Sequence, residues 1–358
     1  MPRIIAVTDS KQAFHRGIFM KRYLLPDKNA YKANLHIHSN FSDGKMTPEE
    51  IKAHYVANRY SIVAFTDHEA ITTHNELRDE KFLPLTSYEL AINDTTDEKI
   101  DVRKRTYHLN FFARDPECTF SSAFSYSRMY WERGRACLPK DKIGYECPGK
   151  EYSVECINRL VAEAREEGFI VSYNHPVWSQ QSYPDYIDLK GLFGIEVHNT
   201  ECKSLGYHDT VQPWCDLLGQ GERLFPLATD DAHSIDSTLG GWIYVMADKL
   251  EYGTVFEALE HGDFYASNGP EIKELYLEDG ILAVKTSPAV KVEINTERRA
   301  AMSSEYCNIP CEEFKFDLTK FLQSEEGGEK APYFRVTVRD EKGNCAWSRA
   351  YFLNELRK

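Results

Sequence analysis

Short apolar runs that end directly in His, Asp or Glu residues recur along this chain, and no other feature constrains its fold as strongly. The first run lies in "NLHIHSNFSDG", residues 34–44. In an extended strand alternate side chains point to the same side, so His36 and His38 converge while Leu35 and Ile37 face away. Two histidines at this spacing fit a polar strand edge as well as a metal site. The rest of the chain must decide between them.

The same arrangement returns after each predicted strand. Thr47 and Glu50 form a capping box that predicts a helix over "TPEEIKAHYVANRY". The apolar run "SIVAF" follows that helix, and a second predicted helix, "EYSVECINRLVAEAREEG", stops at Gly168 before the run "FIVSY". The polar residues at the ends of these and similar runs are Asp67, His68, Glu89, His108, His175, Glu196, Asp231 and His233.

Alternating strands and helices with polar residues at the strand exits predict an α/β fold. The pattern is typical of a parallel α/β barrel, whose active site lies at the carboxyl ends of its strands. An open, doubly wound sheet is the alternative, but polar residues at nearly every strand exit favour a closed ring.

Changes of pattern along the chain predict its domain organisation. Residues 1–30 are an N-terminal extension, and residues 31–270 form the barrel. Residues 113–150 interrupt the strand and helix rhythm with Ser, Tyr, Cys and basic residues, and we interpret them as an insertion over the site. Short alternating runs after "DFYASNGPEI" predict a small all-β, sandwich-like domain over residues 271–358.

Charge and composition narrow the class of protein. The net charge of −13 and a pI near 5.5 argue against nucleic acid and anionic membranes as partners and favour a small ligand. No apolar run is long enough for a membrane span, and the N-terminus lacks a signal peptide. The nine cysteines are odd in number and contain no CxxC. We therefore expect a cytoplasmic protein. The sequence does not determine its oligomeric state.

The strand-exit residues supply more potential ligands than one ion can use. They are His36, His38, Asp43, His68, Glu89, His108, His175, Asp231 and His233. Zinc, manganese and iron accept mixed nitrogen and oxygen ligands, and a carboxylate can bridge two ions. The set therefore predicts a cluster of divalent metal ions.

The ordered motifs "HIHSNFSDG", "FTDHE", "YEL", "YHLNFF", "NHP" and "TDDAH" resemble those of the PHP (polymerase and histidinol phosphatase) metal-dependent hydrolases, in the branch with a small C-terminal β domain. The resemblance covers roughly residues 31–270. It implies a distorted, TIM-like (β/α)7 barrel with a trinuclear site of two to three divalent ions.

The resemblance also assigns ligands to each ion. It implies that His36, His38, Glu89 and Asp231 bind a first ion, and that Glu89 bridges to a second held by His108 and His175. Asp43, His68 and His233 would hold the third. "TDDAH" offers Asp230 as well, but the two-residue spacing of Asp231 from His233 favours Asp231. Asp43 stands where some members of the family have histidine.

A cluster of this kind predicts hydrolysis by metal-activated hydroxide, because clustered cations acidify water and neutralise phosphoryl oxygens. The leading prediction is a phosphoesterase for a small phosphorylated metabolite, such as a nucleotide or a sugar phosphate. Candidate catalytic residues are His198, Glu196 and Asp67, with His198 a candidate for protonation of the leaving group. The alternatives are a hydrolase of a carbamate, ester or amide bond and a non-catalytic binding module.

Overall fold

The computed structural model describes residues 21–94, 105–297, 301–304, 306–324 and 332–357 of the 358-residue chain. Most of the predicted N-terminal extension lies outside these residues. Within the described part no helix has both the length and the apolar composition needed to cross a bilayer.

The strands of the described residues, in chain order, are β1 (Arg22–Tyr23), β2 (Asn29–Asn34), β3 (Ile62–Phe65), β4 (Leu83–Asn93), β5 (Thr106–Ala113), β6 (Phe169–Tyr173), β7 (Gly194–Asn199), β8 (Phe225–Thr229), β9 (Trp242–Ala247), β10 (Phe264–Ser267), β11 (Ile272–Glu278), β12 (Ile281–Ala289), β13 (Lys291–Thr296), β14 (Met302–Ser303), β15 (Cys311–Asp317), β16 (Tyr333–Arg339), β17 (Cys345–Ser348) and β18 (Tyr351–Phe352).

The helices of the same residues are α1 (Pro48–Ala57), α2 (Glu132–Cys137), α3 (Val154–Glu166), α4 (Tyr183–Tyr186), α5 (Thr200–Ser204), α6 (Gln212–Gly219), α7 (Tyr252–His261), α8 (Thr319–Leu322) and α9 (Leu353–Leu356).

Local sequence signals explain where the two predicted helices begin and end. Helix α1 starts at the predicted capping box: the Glu50 amide donates to Thr47 Oγ1 at 3.2 Å, and the Thr47 amide donates to Glu50 Oε2 at 2.8 Å. Helix α3 ends just before Gly168, whose φ of +88° is readily adopted only by glycine. Both predicted helices are confirmed.

Seven consecutive strands of one large sheet position the strand exits. Strands β2, β3 and β4 pair in parallel, and so do β6, β7 and β8. Strand β5 lies between β4 and β6 and is antiparallel to both. The other six strands therefore run in one direction, and their carboxyl ends lie at the same end of the sheet.

The prediction of a parallel barrel needs correction. Strand β5 is reversed, and β2 also pairs antiparallel with β9. Among the described residues no ladder closes β8 onto β2; a single parallel bridge between Ile37 and Ala232 links the segments beyond them. The structure thus confirms a mixed α/β fold with a large sheet, while the closed TIM-like barrel is not confirmed.

The C-terminal residues form strands, as predicted, but these strands also extend the large sheet. Strands β9, β10, β17, β16, β13 and β14 continue it in that order, all antiparallel. A second sheet has the order β1, β11, β12, β15. An apolar cluster that includes Leu275, Val284, Val292 and Val336 joins the two sheets. The predicted domain boundary at residue 271 stays a prediction.

Candidate metal centre

The loop after β2 folds as the alternation of "LHIH" predicts. The side chains of His36 and His38 are fully buried on one side, while Leu35 and Ile37 belong to two different apolar clusters. The loop then turns back on itself at Gly44, where a Cβ atom would lie 2.0 Å from the His38 carbonyl oxygen. Only glycine allows this close approach.

Asp67, at the exit of β3, holds that loop in place. Its carboxylate accepts hydrogen bonds from the Ser39 amide at 2.8 Å and hydroxyl at 2.7 Å, and from the Ser42 amide at 3.1 Å and hydroxyl at 2.7 Å. The residue is completely buried. Asp67 therefore positions the segment between His38 and Asp43 and does not face the cluster itself.

The first group of potential ligands is fully buried. His36 Nε2 lies 3.2 Å from Glu89 Oε1 and 3.0 Å from Asp231 Oδ1, and His38 Nε2 lies 3.1 Å from Asp231 Oδ1. The four residues offer ligand atoms that all lie within 4.8 Å of one another. They are the four that the resemblance assigns to one ion.

The second group shares Glu89 with the first. His108 Nδ1 lies 3.1 Å and His175 Nε2 3.6 Å from Glu89 Oε1. Asn174 donates to the same oxygen at 2.8 Å and fixes the orientation of the carboxylate. Glu89 thus lies between two sets of imidazoles, as a bridging carboxylate would.

The third group surrounds Asp43 and is the most exposed of the three. His68 Nε2 lies 3.6 Å from Asp43 Oδ2, and His233 Nε2 lies 3.5 Å from Asp43 Oδ1. His38 Nδ1 is 3.6 Å from Asp43 Oδ1, so His38 borders two groups. The structure therefore brings all nine predicted ligands together.

The donor set fits divalent cations. Two buried atoms at its centre, His36 Nε2 and Glu89 Oε2, have no hydrogen-bond partner. A buried lone pair without a partner is costly, and a cation would satisfy both atoms. Imidazole nitrogens mixed with carboxylate oxygens suit zinc, manganese or iron.

Electrostatics keeps the carboxylates charged. Although burial raises it, the pKa of Glu89 lies well below its usual value because the imidazoles of His108 and His36 are close. Burial lowers the pKa of His36, but Asp231, Glu89 and Glu196 outweigh burial and raise it well above its usual value. Protons on imidazoles thus balance the carboxylates, and cations would displace those protons.

The two partly buried histidines of the third group, His68 and His233, differ in charge. Burial, reinforced by the nearby His38, lowers the pKa of His68 to about 3. Burial also lowers the pKa of His233, but its hydrogen bond with Asp43 prevails and raises the value to about 9. His68 is therefore a neutral imidazole near pH 7 and available to a metal without losing a proton.

Glu196, at the exit of β7, lies behind the first group. It accepts hydrogen bonds from His36 Nδ1 at 2.7 Å, Thr229 Oγ1 at 2.7 Å, the His175 amide at 3.0 Å and Asn199 Nδ2 at 2.9 Å. The bond to Nδ1 orients the His36 ring so that Nε2 points at Glu89 and Asp231. Glu196 also lies near enough to His36 and His175 to serve as a ligand.

His198 is not brought into the cluster. A register shift in β7 falls between Glu196 and His198. The His198 ring contacts Asp209 through Nδ1 at 2.9 Å and Thr200 through Nε2 at 3.3 Å. The geometry therefore does not support the prediction that His198 protonates a leaving group.

The structure distinguishes the two aspartates of "TDDAH". Asp230 is buried and accepts from the Tyr55 hydroxyl at 2.7 Å and from three backbone amides of residues 239–241. Asp231 faces the histidines. Its φ of +54° is unusual for a residue with a side chain, as is the +27° of His175. Backbone strain of this kind is concentrated at functional sites.

Sequence reasoning missed several residues around the site. Trp131 of the insertion stacks on His68, with ring centroids 5.8 Å apart, and Trp178 lies 5.4 Å from His108. Asn199 donates to both Glu196 and Asp231. The position of Trp178, three residues after His175, was the one available signal, since a ligand and its near neighbours leave a strand together.

The third group lies at the floor of an open cavity of about 1140 Å³. Asp43, His68 and His108 line the floor, and residues of the insertion and of the segment after β6 line the walls. A cavity of this size accommodates a small organic ligand.

Several solved structures resemble the chain, among them the following three. One is a two-domain protein from Bacteroides vulgatus described as containing a PHP-like metal-dependent phosphoesterase (14% identity, TM-score 0.39, covering 92% of this chain and 97% of that one). Another is an amidohydrolase from Chromobacterium violaceum, with 16% identity and a TM-score of 0.38; the match covers 65% of this chain and 96% of that one. The third is a lesion-specific endonuclease from Pyrococcus furiosus, with 14% identity and a TM-score of 0.41; the match covers 65% of this chain and 56% of that one. Such TM-scores establish neither a shared substrate nor a shared reaction.

A search among curated proteins finds no match. The sequence does match the family model of the PHP domain over residues 34–170, the segment that contains six of the nine potential ligands, from His36 to His108. This segment is a little over a third of the chain, and over it the sequence is similar to the PHP domain family.

Proposed function

We propose that this protein is a metal-dependent hydrolase, and specifically a phosphoesterase that acts on a small phosphorylated metabolite. One observation carries the proposal: three groups of imidazoles and carboxylates share Glu89 and His38, and the groups reach an open cavity through Asp43, His68 and His108. The similarity of residues 34–170 to the PHP domain family supports it.

The three groups would hold three divalent ions, of zinc, manganese or iron. His36, His38, Glu89 and Asp231 would bind the first, Glu89 with His108 and His175 the second, and Asp43 with His68 and His233 the third. When bound, such ions acidify water and neutralise the charge on phosphoryl oxygens. Strands β2 to β8 would be the distorted barrel of the family, closed at the Ile37–Ala232 bridge.

The protein's own residues orient and shield this centre. Glu196 directs the His36 ring, Asn174 fixes Glu89, and Asp67 holds the loop that carries His38 and Asp43. The first group is closed to solvent, whereas His68 and Asp43 keep 16% and 37% of their side-chain surface exposed. A substrate would therefore approach from the third group.

The acidic chain supports a small substrate over nucleic acid or a membrane. We retain the cytoplasm as the proposed location. A nucleotide or a sugar phosphate is the proposed substrate class.

The test is hydrolysis of a panel of phosphoesters by the manganese-loaded protein, followed as phosphate release from phosphomonoesters and as release of the alcohol from phosphodiesters. We expect activity on one class, and its loss together with lower metal content in His68→Ala. His261→Ala, an exposed histidine at the end of α7, is the matched control and should be unaffected. No hydrolysis of either class of phosphoester by metal-replete protein would overturn the proposal, and cleavage of carbamate or carboxylic ester substrates instead would replace it.

A further inference from the structure

The cavity beside the third group has two walls of different origin. Arg128, Tyr130 and Trp131 of the insertion line one, and residues 178–180, which follow His175, line the other. The metal ligands His68 and His108 lie between these walls. A substrate whose phosphoryl group reaches the floor must therefore pass between them.

An indole ring contacts a potential metal ligand on each side of the floor. Trp131 stacks on His68 with an interplanar angle of 18°, and Trp178 packs at 4.9 Å against His175 and at 5.4 Å against His108. Both indoles are only partly buried and line the cavity. Aromatic faces of this kind bind planar rings by stacking.

One cation of the cavity has no carboxylate partner within the part of the chain that the structure describes. Arg105 is neutralised by Asp94 at 2.6 Å and Asp185 at 2.8 Å. Arg128 has no carboxylate partner among the described residues; its guanidinium reaches only the Ala91 carbonyl, at 3.5 Å. Ala91 pairs with His108 across the β4 and β5 ladder. The positive charge of Arg128 is thus close to the second group of ligands.

The insertion that carries Arg128 and Trp131 is firmly docked. A Cβ atom on Gly134 of α2 would lie 2.9 Å from the Phe41 carbonyl oxygen and 3.0 Å from the Ala70 side chain. Lys150, at its end, forms a buried ion pair with Glu69 at 3.1 Å. The walls are therefore held in place before a ligand arrives, which lowers the entropic cost of binding.

We propose that Arg128, Trp131 and Trp178 form a recognition subsite that selects phosphoesters carrying a planar aromatic group, the class that includes nucleotides, over purely aliphatic phosphoesters. The inference rests on the proposed function and narrows its substrate class. The indoles hold the aromatic group, and the guanidinium donates to the anionic phosphoryl oxygens. An aliphatic sugar phosphate would use only the second of these contacts.

The experiment compares two phosphomonoesters that differ only by an aromatic base, adenosine 5′-monophosphate and ribose 5-phosphate. Phosphate release is measured with the manganese-loaded protein, and binding of both compounds by calorimetry. Base stacking predicts a kcat/KM about 10- to 100-fold higher for the adenosine compound.

Variants separate the contributions of ring and charge. Trp131→Ala should lower kcat/KM about 10-fold more for the adenosine compound than for ribose 5-phosphate, and Trp131→Phe should restore most of the difference. Arg128→Gln should raise KM for both compounds about 10-fold, with Arg128→Lys intermediate. Arg78→Gln, an exposed arginine outside the cavity, is the control.

Different outcomes overturn different claims. Equal kcat/KM for the two compounds, or an equal loss on both in Trp131→Ala, would overturn the subsite and leave the phosphoesterase intact. No hydrolysis of any phosphoester would overturn the proposed function. The subsite would then fail as well unless calorimetry still shows tighter binding of the adenosine compound that Trp131→Ala abolishes.

Discussion

Replacing Glu196 by glutamine tests the orienting role that the structure gives to this carboxylate. Its two oxygens accept four hydrogen bonds, two on each. Glutamine keeps one oxygen and places an amide group where the other oxygen was. If the amide faces the His175 N–H and Asn199, two pairs of donors oppose each other.

The opposite orientation of the amide is no better. The amide would then face His36 Nδ1 and Thr229 Oγ1, which both donate to the carboxylate in the wild type. Either way about two buried hydrogen bonds are lost, at about 1–3 kcal/mol each. We therefore expect the free energy of unfolding of the metal-free protein to fall by about 2–6 kcal/mol.

Metal binding should weaken as well. Loss of a partner that orients a ligating histidine typically reduces metal affinity by about 10- to 100-fold. The assay is competition for zinc between the protein and a chromophoric chelator, alongside urea unfolding of the metal-free form. Glu257→Gln, an exposed glutamate on α7, provides the matched control. Zinc affinity and stability equal to those of the control would refute the assignment.

Four further predictions follow from other contacts. In Gly44→Ala the new methyl group collides with the His38 carbonyl, so metal content measured by atomic emission should fall, and full occupancy would contradict the argument. Burial lowers the pKa of Lys32 to about 8, below its value in the unfolded chain. The charged lysine therefore destabilises the folded state below pH 8. This destabilisation disappears as the pH rises toward the pKa of the unfolded chain. Between pH 7 and pH 10 the unfolding free energy of the wild type should therefore rise by about 1–2 kcal/mol relative to that of Lys32→Met, after allowance for partial exposure. An equal difference between the two proteins at both pH values would exclude this effect of Lys32. Removing metal with a chelator should lower the melting temperature by about 5–10 °C, because ions that bind only the folded state stabilise it; differential scanning calorimetry checks this, and no shift would argue against the metal centre. A chain ending at residue 269 should be insoluble in a sedimentation assay, since it lacks the strand that pairs with β10; soluble, active protein would show that the later residues are dispensable.

Much of the candidate centre could be predicted from the sequence, because its residues follow a simple rule of parallel sheets. Residues that directly follow buried parallel strands meet at one edge of a sheet, so His36, His68, His175 and Asp231 come together whatever the details of packing. Side-chain alternation further explains why His38 joins His36. The helix boundaries at Thr47 and Gly168 were equally local and were predicted correctly.

Other features depend on information that periodicity does not contain. The apolar pattern of β5 is the same whichever way the strand runs, so its reversal was not visible. The alternation rule placed His198 beside Glu196, but the register shift between them turns the histidine away. Asp67 and Glu196 were seen as reactive groups, whereas their carboxylates are saturated by hydrogen bonds that only the folded chain provides.

The ladder between β10 and β17 has a consequence for how the protein is made. Ala266 of β10 pairs with Trp347 of β17. One edge of β10 therefore has no hydrogen-bond partners from β17 until the ribosome has translated far beyond the last potential ligand, His233; the other edge pairs with β9. During that interval the nascent chain already contains every metal-binding side chain but not the complete sheet. Chaperone occupancy should therefore persist through translation of the C-terminal third, and stable loading of the centre should be an event that follows synthesis.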